Sequence, residues 1–86
     1  MFQFKGGYLY GGREIRLRGI YTEQECAALV KSKHPDAHGA TLYNNGNCHA
    51  DYGKDVWSSE YERYCVFPPG NIILHIKIFH VSSKVK

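Results

Sequence analysis

The sequence predicts an α+β fold, with an antiparallel β-sheet of about five strands and one α-helix packed across it. One segment, residues 23–33, combines helix-start signals with an apolar stripe, whereas the other ordered segments alternate apolar and polar residues. Glycine- and proline-rich turns separate those alternating segments. The 86 residues are expected to form a single domain, 1–86, in which residues 68–86 add a C-terminal strand and tail.

The predicted helix has clear signals at both ends. Thr22 is a good N-cap, and Glu25 three residues later completes a capping box. Cys26 and Val30 are one helical turn apart, so they belong to the apolar stripe that faces the sheet. Pro35 ends the helix, because the residue before a proline avoids the helical region.

The stretch 39–67 is predicted to be a three-stranded antiparallel unit. Asn44–Asn47 contains an Asn-Gly pair, which predicts a hairpin with a two-residue loop. The chain then runs back as a strand over Cys48–Tyr52, continues through a loop that carries Trp57, and forms a third strand over Tyr61–Phe67. We expect this unit to form the centre of the sheet.

Three further strands are predicted outside this unit. Residues 2–10 and 13–18 alternate on either side of a Gly-Gly turn, which predicts a hairpin at the start of the chain. Residues 72–81 alternate most regularly, and they predict a last strand whose second face is partly apolar.

Composition narrows the class of function. The net charge of +3 is spread along the chain, which argues against a nucleic-acid interface. No apolar run reaches the length of about 18 residues that a membrane-spanning helix needs. Three cysteines in a chain this small favour an oxidising compartment, so we expect a secreted, extracellular protein. Three buried, reduced thiols in a cytosolic protein are the alternative.

Four short motifs carry a resemblance to a known family. Thr22-x-x-Glu25-Cys26 is followed by Gly39–Tyr43, by Cys48–Gly53 and by Tyr64–Phe67. With these motifs, residues 8–67 resemble the PAN/apple domain family. In that family a helix packs across an antiparallel sheet, and a disulfide ties the helix to the central hairpin. The resemblance therefore implies a disulfide between Cys26 and Cys48.

Cys65 departs from the family pattern. Family members commonly have a cysteine in the first strand that pairs with the one matching Cys65, and this chain has none there. We therefore expect a homodimer, joined either by an intermolecular Cys65–Cys65 bridge or by pairing of the strand over residues 72–81. A buried free thiol is the alternative.

The resemblance also implies a class of function. PAN/apple modules bind proteins or carbohydrates and are not enzymes, and some recognise galactose-type sugars. We therefore expect a non-catalytic carbohydrate-binding protein (a lectin) without a cofactor, whose partner is a glycan or glycoprotein. The alternative is a module that binds proteins, or a sulfated, heparin-like polysaccharide through Lys31, Lys33, Lys54 and the tail.

Strand alternation supplies the candidate sugar-binding residues. If Cys48 faces the helix, alternate residues of the central strands share the opposite, outward face. These residues are aromatic, amide, hydroxyl or carboxylate side chains, the types that stack on a sugar ring and hydrogen-bond its hydroxyls. An ordinary solvated sheet face, with Trp57 capping the edge of the core, is the alternative. The candidates are Thr41, Tyr43, Asn45, Asn47, His49, Asp51, Trp57, Glu62 and Tyr64.

Metal and enzyme sites are disfavoured by the sequence. His34 and His38 have a spacing that zinc can use, but Pro35 interrupts the helix that would align the two imidazoles. A thiol enzyme would need Cys48 or Cys65 reduced and activated in a cleft, and the cysteines are better explained as structural. We therefore predict no metal site and no catalytic residues.

Overall fold

The computed structural model of the protein describes residues 1–68, which form one α-helix and seven β-strands. The strand predicted over residues 72–81 and the tail that follows it lie outside the described residues. In chain order the elements are β1 (Lys5–Gly6), β2 (Tyr8–Tyr10), β3 (Glu14–Leu17), α1 (Glu23–Lys33), β4 (Gly39–Tyr43), β5 (Cys48–Asp51), β6 (Asp55–Trp57) and β7 (Glu62–Val66).

Five of the strands form the main sheet. Their order is β1-β7-β4-β5-β3, and every neighbouring pair is antiparallel. Helix α1 packs on one side of this sheet, against the central strands β4 and β5. The predicted α+β class, with a five-stranded antiparallel sheet and one helix, is therefore confirmed.

The helix begins and ends where its signals predict. The Thr22 hydroxyl accepts a hydrogen bond from the Glu25 amide at 3.2 Å, and the Glu25 carboxylate accepts one from the Thr22 amide at 3.0 Å. This reciprocal pair satisfies backbone donors that the first turn would otherwise leave unpaired. At the other end, the His34 amide still donates to the Val30 carbonyl at 2.7 Å, and Pro35 follows.

The disulfide that the resemblance implies is present. Cys26 and Cys48 are bonded, with 5.6 Å between their Cα atoms, and both are fully buried. The bridge belongs to a buried layer that contains four alanines together with larger apolar side chains. The buried side chains of this layer are Leu17, Cys26, Ala27, Val30, Ala37, Ala40, Leu42, Cys48, Ala50, Cys65 and Phe67.

The predicted N-terminal hairpin is wrong in its pairing. Residues 2–10 do not form one strand, because Gly7 adopts a φ of +130° and separates β1 from β2. β1 pairs with β7, whereas β2 pairs with β6, the segment around Trp57 that the sequence predicts as a loop. The other predicted partner, β3, pairs with β5 at the edge of the main sheet.

The central hairpin is placed correctly, but its loop is one residue longer than predicted. The Tyr43 amide donates to the Asn47 carbonyl at 2.9 Å, which closes a loop of residues 44–46. Within this loop only Gly46 has a positive φ, +93°. A two-residue loop of the predicted kind would need positive φ at both central residues, whereas a three-residue loop needs it at one.

The strands β2 and β6 form a two-stranded sheet, which we call the ribbon, on the side of the main sheet away from the helix. Its anchor is Leu9, which is 2% exposed and packs over Gly39. The Leu9 amide also donates to the Thr41 hydroxyl at 3.4 Å. At the end of β2, Gly53 approaches the Tyr10 carbonyl so closely that a Cβ at position 53 would overlap it. The ribbon therefore covers part of the helix-free face.

Candidate functional site

The helix-free face carries the polar residues that alternation predicts to point away from the helix. His49 of β5 lies opposite Arg16 of β3 on one side and opposite Thr41 of β4 on the other. Thr41 in turn lies opposite Tyr64 of β7. Because directly opposite residues share a face, these four side chains form one row across the sheet.

Two of the candidates lie beneath the ribbon. Thr41 is 0% exposed and Asp51 is 2% exposed. The Thr41 hydroxyl is engaged by the Leu9 amide, so it binds the ribbon rather than facing solvent. Alternation predicts the side of the sheet correctly for both residues. It does not predict that a segment from elsewhere in the chain covers that side.

The remaining part of this face, which we call the open sheet face, comprises Arg16, Tyr43, Asn47, His49 and Glu62. The rings of Tyr43 and His49 are 4.7 Å apart between centroids and tilted by 55°. Arg16 Nη2 donates to the Asn47 side-chain oxygen at 3.2 Å. Glu62 pairs with Tyr43 in the ladder and accepts a hydrogen bond from a serine hydroxyl, that of Ser59. Aromatic, amide and carboxylate groups are thus brought together here.

The outer side of the ribbon presents a second set of side chains, Tyr8, Tyr10 and Trp57, which we call the aromatic ribbon face. Tyr8 lies opposite Trp57 in the ladder. The rings of Tyr10 and Trp57 meet edge to face, with centroids 5.8 Å apart. Trp57 is 57% exposed and Tyr10 is 39% exposed, so Trp57 does not cap the core. An exposed tryptophan held by a ladder offers a fixed stacking surface.

Tyr8 and Tyr10 join the candidate site but are not among the residues predicted from the sequence. Their alternation around the buried Leu9 was the available signal, since Tyr-x-Tyr in a strand places both rings on one side.

Two of the predicted residues have structural contacts within the protein. Asn45 Oδ1 accepts a hydrogen bond from the Asn47 amide at 3.0 Å and stabilises the hairpin loop. Tyr64 is half-buried beside Gly7, where the ribbon joins the sheet.

The aromatic groups of the open sheet face are uncharged at neutral pH. Burial, reinforced by the carboxylates of Glu14, Glu62 and Asp51, raises the pKa of Tyr43. Burial also lowers the pKa of His49, against the opposing effect of Glu14. A neutral phenol and a neutral imidazole can each both donate and accept a hydrogen bond, as a sugar hydroxyl requires.

Asp51 is the most strongly perturbed carboxyl group of this region. Burial raises its pKa to about 7, the Thr41 hydroxyl opposes this shift, and the neighbouring Glu14 adds to it. Glu14 lies directly opposite Asp51 in the ladder. Asp51 Oδ2 and His49 Nδ1 are buried and have no hydrogen-bond partner among residues 1–68. Asp51, one of the predicted sugar-binding residues, is therefore covered and not open to solvent.

Cys65 lies in the core and not at the surface. It is 2% exposed, and burial raises the pKa of its thiol to about 11. A bridge between two subunits would require this sulfur to leave the core. The buried free thiol, which the sequence analysis gave as the alternative, is the state seen here. The other predicted route to a dimer, through residues 72–81, lies outside the described residues.

The structure of residues 1–68 also bears on metal binding and on membrane-spanning helices. Among residues 1–68, no group of three or more histidine, cysteine, aspartate or glutamate side chains can hold a metal ion. In the same part of the chain, the helix is too short and too polar to cross a membrane.

Comparison with known proteins gives no relative. No protein-family model matches the chain, and no curated protein and no solved structure matches it either. The resemblance to PAN/apple domains therefore stays a prediction, and function has to be argued from the two surfaces described above.

Proposed function

We propose that the protein is a non-catalytic carbohydrate-binding protein, a lectin of PAN/apple type that takes its ligand on the helix-free side. The observation that carries this proposal is the exposed Trp57, held edge to face against Tyr10 on the ribbon. The apolar side of a sugar ring packs on an aromatic face, and an aromatic face already fixed in place loses little side-chain entropy on binding.

The open sheet face supplies the polar half of such a site. Tyr43 and His49 provide uncharged hydrogen-bonding groups, and the Asn47 amide and the Glu62 carboxylate lie on the same side of the sheet. Binding sites for small molecules combine apolar and aromatic surface with a few placed polar groups. These two neighbouring surfaces have that composition.

The finer parts of the proposal rest on the sequence. A galactose-type ligand follows from the resemblance to lectin-like PAN/apple modules. A secreted, extracellular protein is consistent with the Cys26–Cys48 disulfide, because such bonds persist in oxidising compartments. A homodimer would present two weak sites together and multiply their avidity.

Trp57→Ala is expected to weaken glycan binding by roughly fivefold or more, since an aromatic contact of this kind contributes about 1 kcal/mol or more. The fold should be retained, because the Trp57 side chain is largely exposed. Binding is measured on a glycan array with free galactose as competitor, and the fold by circular dichroism. Tyr61→Ala is the matched control, because Tyr61 is 71% exposed and lies outside the ribbon.

Equal binding by the Trp57→Ala variant and the wild-type protein would rule out the aromatic ribbon face as the site. Failure of the wild-type protein to bind any glycan would refute the carbohydrate proposal itself.

The alternative, a protein or heparin-like ligand, depends on exposed cations. Lys31 and Lys33 lie on the helix, whereas Lys54 borders the ribbon on the other side of the sheet. Heparin binding that collapses at physiological salt would favour this alternative.

A further inference from the structure

We infer that the sugar is acidic, and that Arg16 and Arg18 bind its sulfate or carboxylate group at the edge of the open sheet face. This inference rests on the proposed carbohydrate-binding function and names the class of ligand within it.

The position of Arg16 is fixed by the sheet. It lies directly opposite His49 in the ladder, so its side chain leaves the sheet on the ligand side. Arg16 Nη2 donates to the Asn47 side-chain oxygen, which orients the guanidinium along the edge of the face. A guanidinium carries five N–H donors in a planar fork, so most of them are left for a ligand.

Arg18 adds a second guanidinium close to the first. It follows β3, which ends at Leu17, and lies in the bend before Gly19. Arg16, Arg18 and Gly19 line one open concavity beside the face.

Neither guanidinium forms an ion pair with a carboxylate of the described residues, and Glu14 is the acidic residue on the same face of β3. Within residues 1–68 the one ion pair joins Arg63 to Glu23, on the helix side of the sheet. Two adjacent cations without a carboxylate partner repel each other, and an anion placed between them removes this repulsion. Arginine binds sulfate-like and carboxylate groups through paired, charge-assisted hydrogen bonds.

The distances across the sheet match a monosaccharide. Neighbouring strands are about 4.8 Å apart, so Tyr43 on β4 lies about 10 Å from the strand that carries Arg16. Between them lies His49, whose ring contacts that of Tyr43. A sugar that hydrogen-bonds to Tyr43 and His49 can therefore extend one charged substituent to the arginines. The positive charge lies at the edge, whereas Glu14 and Glu62 place carboxylates on the rest of this side, which fits one anionic group better than a polyanionic backbone.

The test compares three sugars by isothermal titration calorimetry: galactose, galactose 6-sulfate and galacturonic acid. The wild-type protein is expected to bind at least one acidic sugar about tenfold more tightly than galactose, and a preference between the two acids identifies the anionic group. Arg18→Gln, outside the open sheet face, should remove most of this advantage and leave galactose binding within about twofold. Arg16→Gln should weaken binding of the acidic sugar more than it weakens binding of galactose. Arg13→Gln is the matched control, because Arg13 packs over Tyr52, at 4.6 Å from its ring, and changes the net charge equally.

The outcomes separate this inference from the proposed function. Equal affinity for galactose and for both acidic sugars would overturn the inference and leave the carbohydrate proposal intact. An equal loss in the Arg13→Gln variant would assign the effect to net charge and overturn the inference as well. If none of the three sugars binds, the galactose-type proposal fails, and the inference fails with it.

Discussion

Replacing Cys26 and Cys48 together by alanine is expected to lower the free energy of unfolding by about 3 kcal/mol. The disulfide joins residues 22 apart in sequence, and breaking it releases that loop in the unfolded chain. A domain of this size has about 5–15 kcal/mol of net stability, so the loss is a large share of the total. We expect the melting temperature to fall by roughly 15 °C.

Urea unfolding of the oxidised proteins measures this effect. Cys65→Ala is the matched control, since it also removes a buried sulfur but leaves the disulfide in place. Its cost should be limited to the small cavity, about 1 kcal/mol. A double variant no less stable than Cys65→Ala would show that the bond between helix and hairpin contributes nothing. The intact mass, measured with and without reductant, reports the bond directly.

Asp51→Asn is expected to stabilise the protein at pH 8 and to have little effect at pH 4. The folded-state pKa of Asp51, about 7, is raised above the ordinary value of 3.8. The folded state therefore holds this proton more tightly, so the group's contribution is largest below pH 4 and is lost as the pH rises towards 7. The loss for a shift of this size is about 4 kcal/mol at most. Asparagine keeps the shape without the charge.

Unfolding by urea between pH 4 and pH 8 tests this prediction. The two proteins should differ most above pH 7, where the wild-type carboxylate is ionised beside Glu14 under the ribbon. His49, whose pKa is lowered, contributes with the opposite sign, but it is present in both proteins and cancels in the comparison. Asp55→Asn, on the exposed strand β6, is the control. Parallel stability curves for wild type and Asp51→Asn would show that the Asp51 carboxyl does not titrate in this range.

Signals between residues close in the sequence were sufficient to predict the helix and the central strands. The capping box at Thr22 fixed the helix start, because the hydrogen bonds involved span three residues. The alternation of 48–51 and 62–66 predicted which side chains point away from the helix, since the strand repeat of two residues is local. His49 and Glu62 accordingly lie on the helix-free side.

The ribbon could not be predicted from the sequence. Its strands are three residues each. The alternation of Tyr8 and Tyr10 indicates a shared face but does not identify the partner strand, which lies across most of the described chain at Trp57. The sequence also does not show that Leu9 needs a buried position on the helix-free face, where it covers Thr41. The candidate site was therefore predicted on the correct side but with the wrong extent. The open sheet face is smaller than expected, and the aromatic ribbon face is new.

The most direct test of ligand binding on the helix-free side is a nuclear magnetic resonance titration of the full chain with the tightest-binding sugar. We expect chemical-shift changes at the Trp57 indole N–H, at Tyr10 and at His49, and none along helix α1 (Glu23–Lys33). Shifts confined to the helix, or no shifts under saturating sugar, would contradict the assignment of the binding site to this side of the sheet.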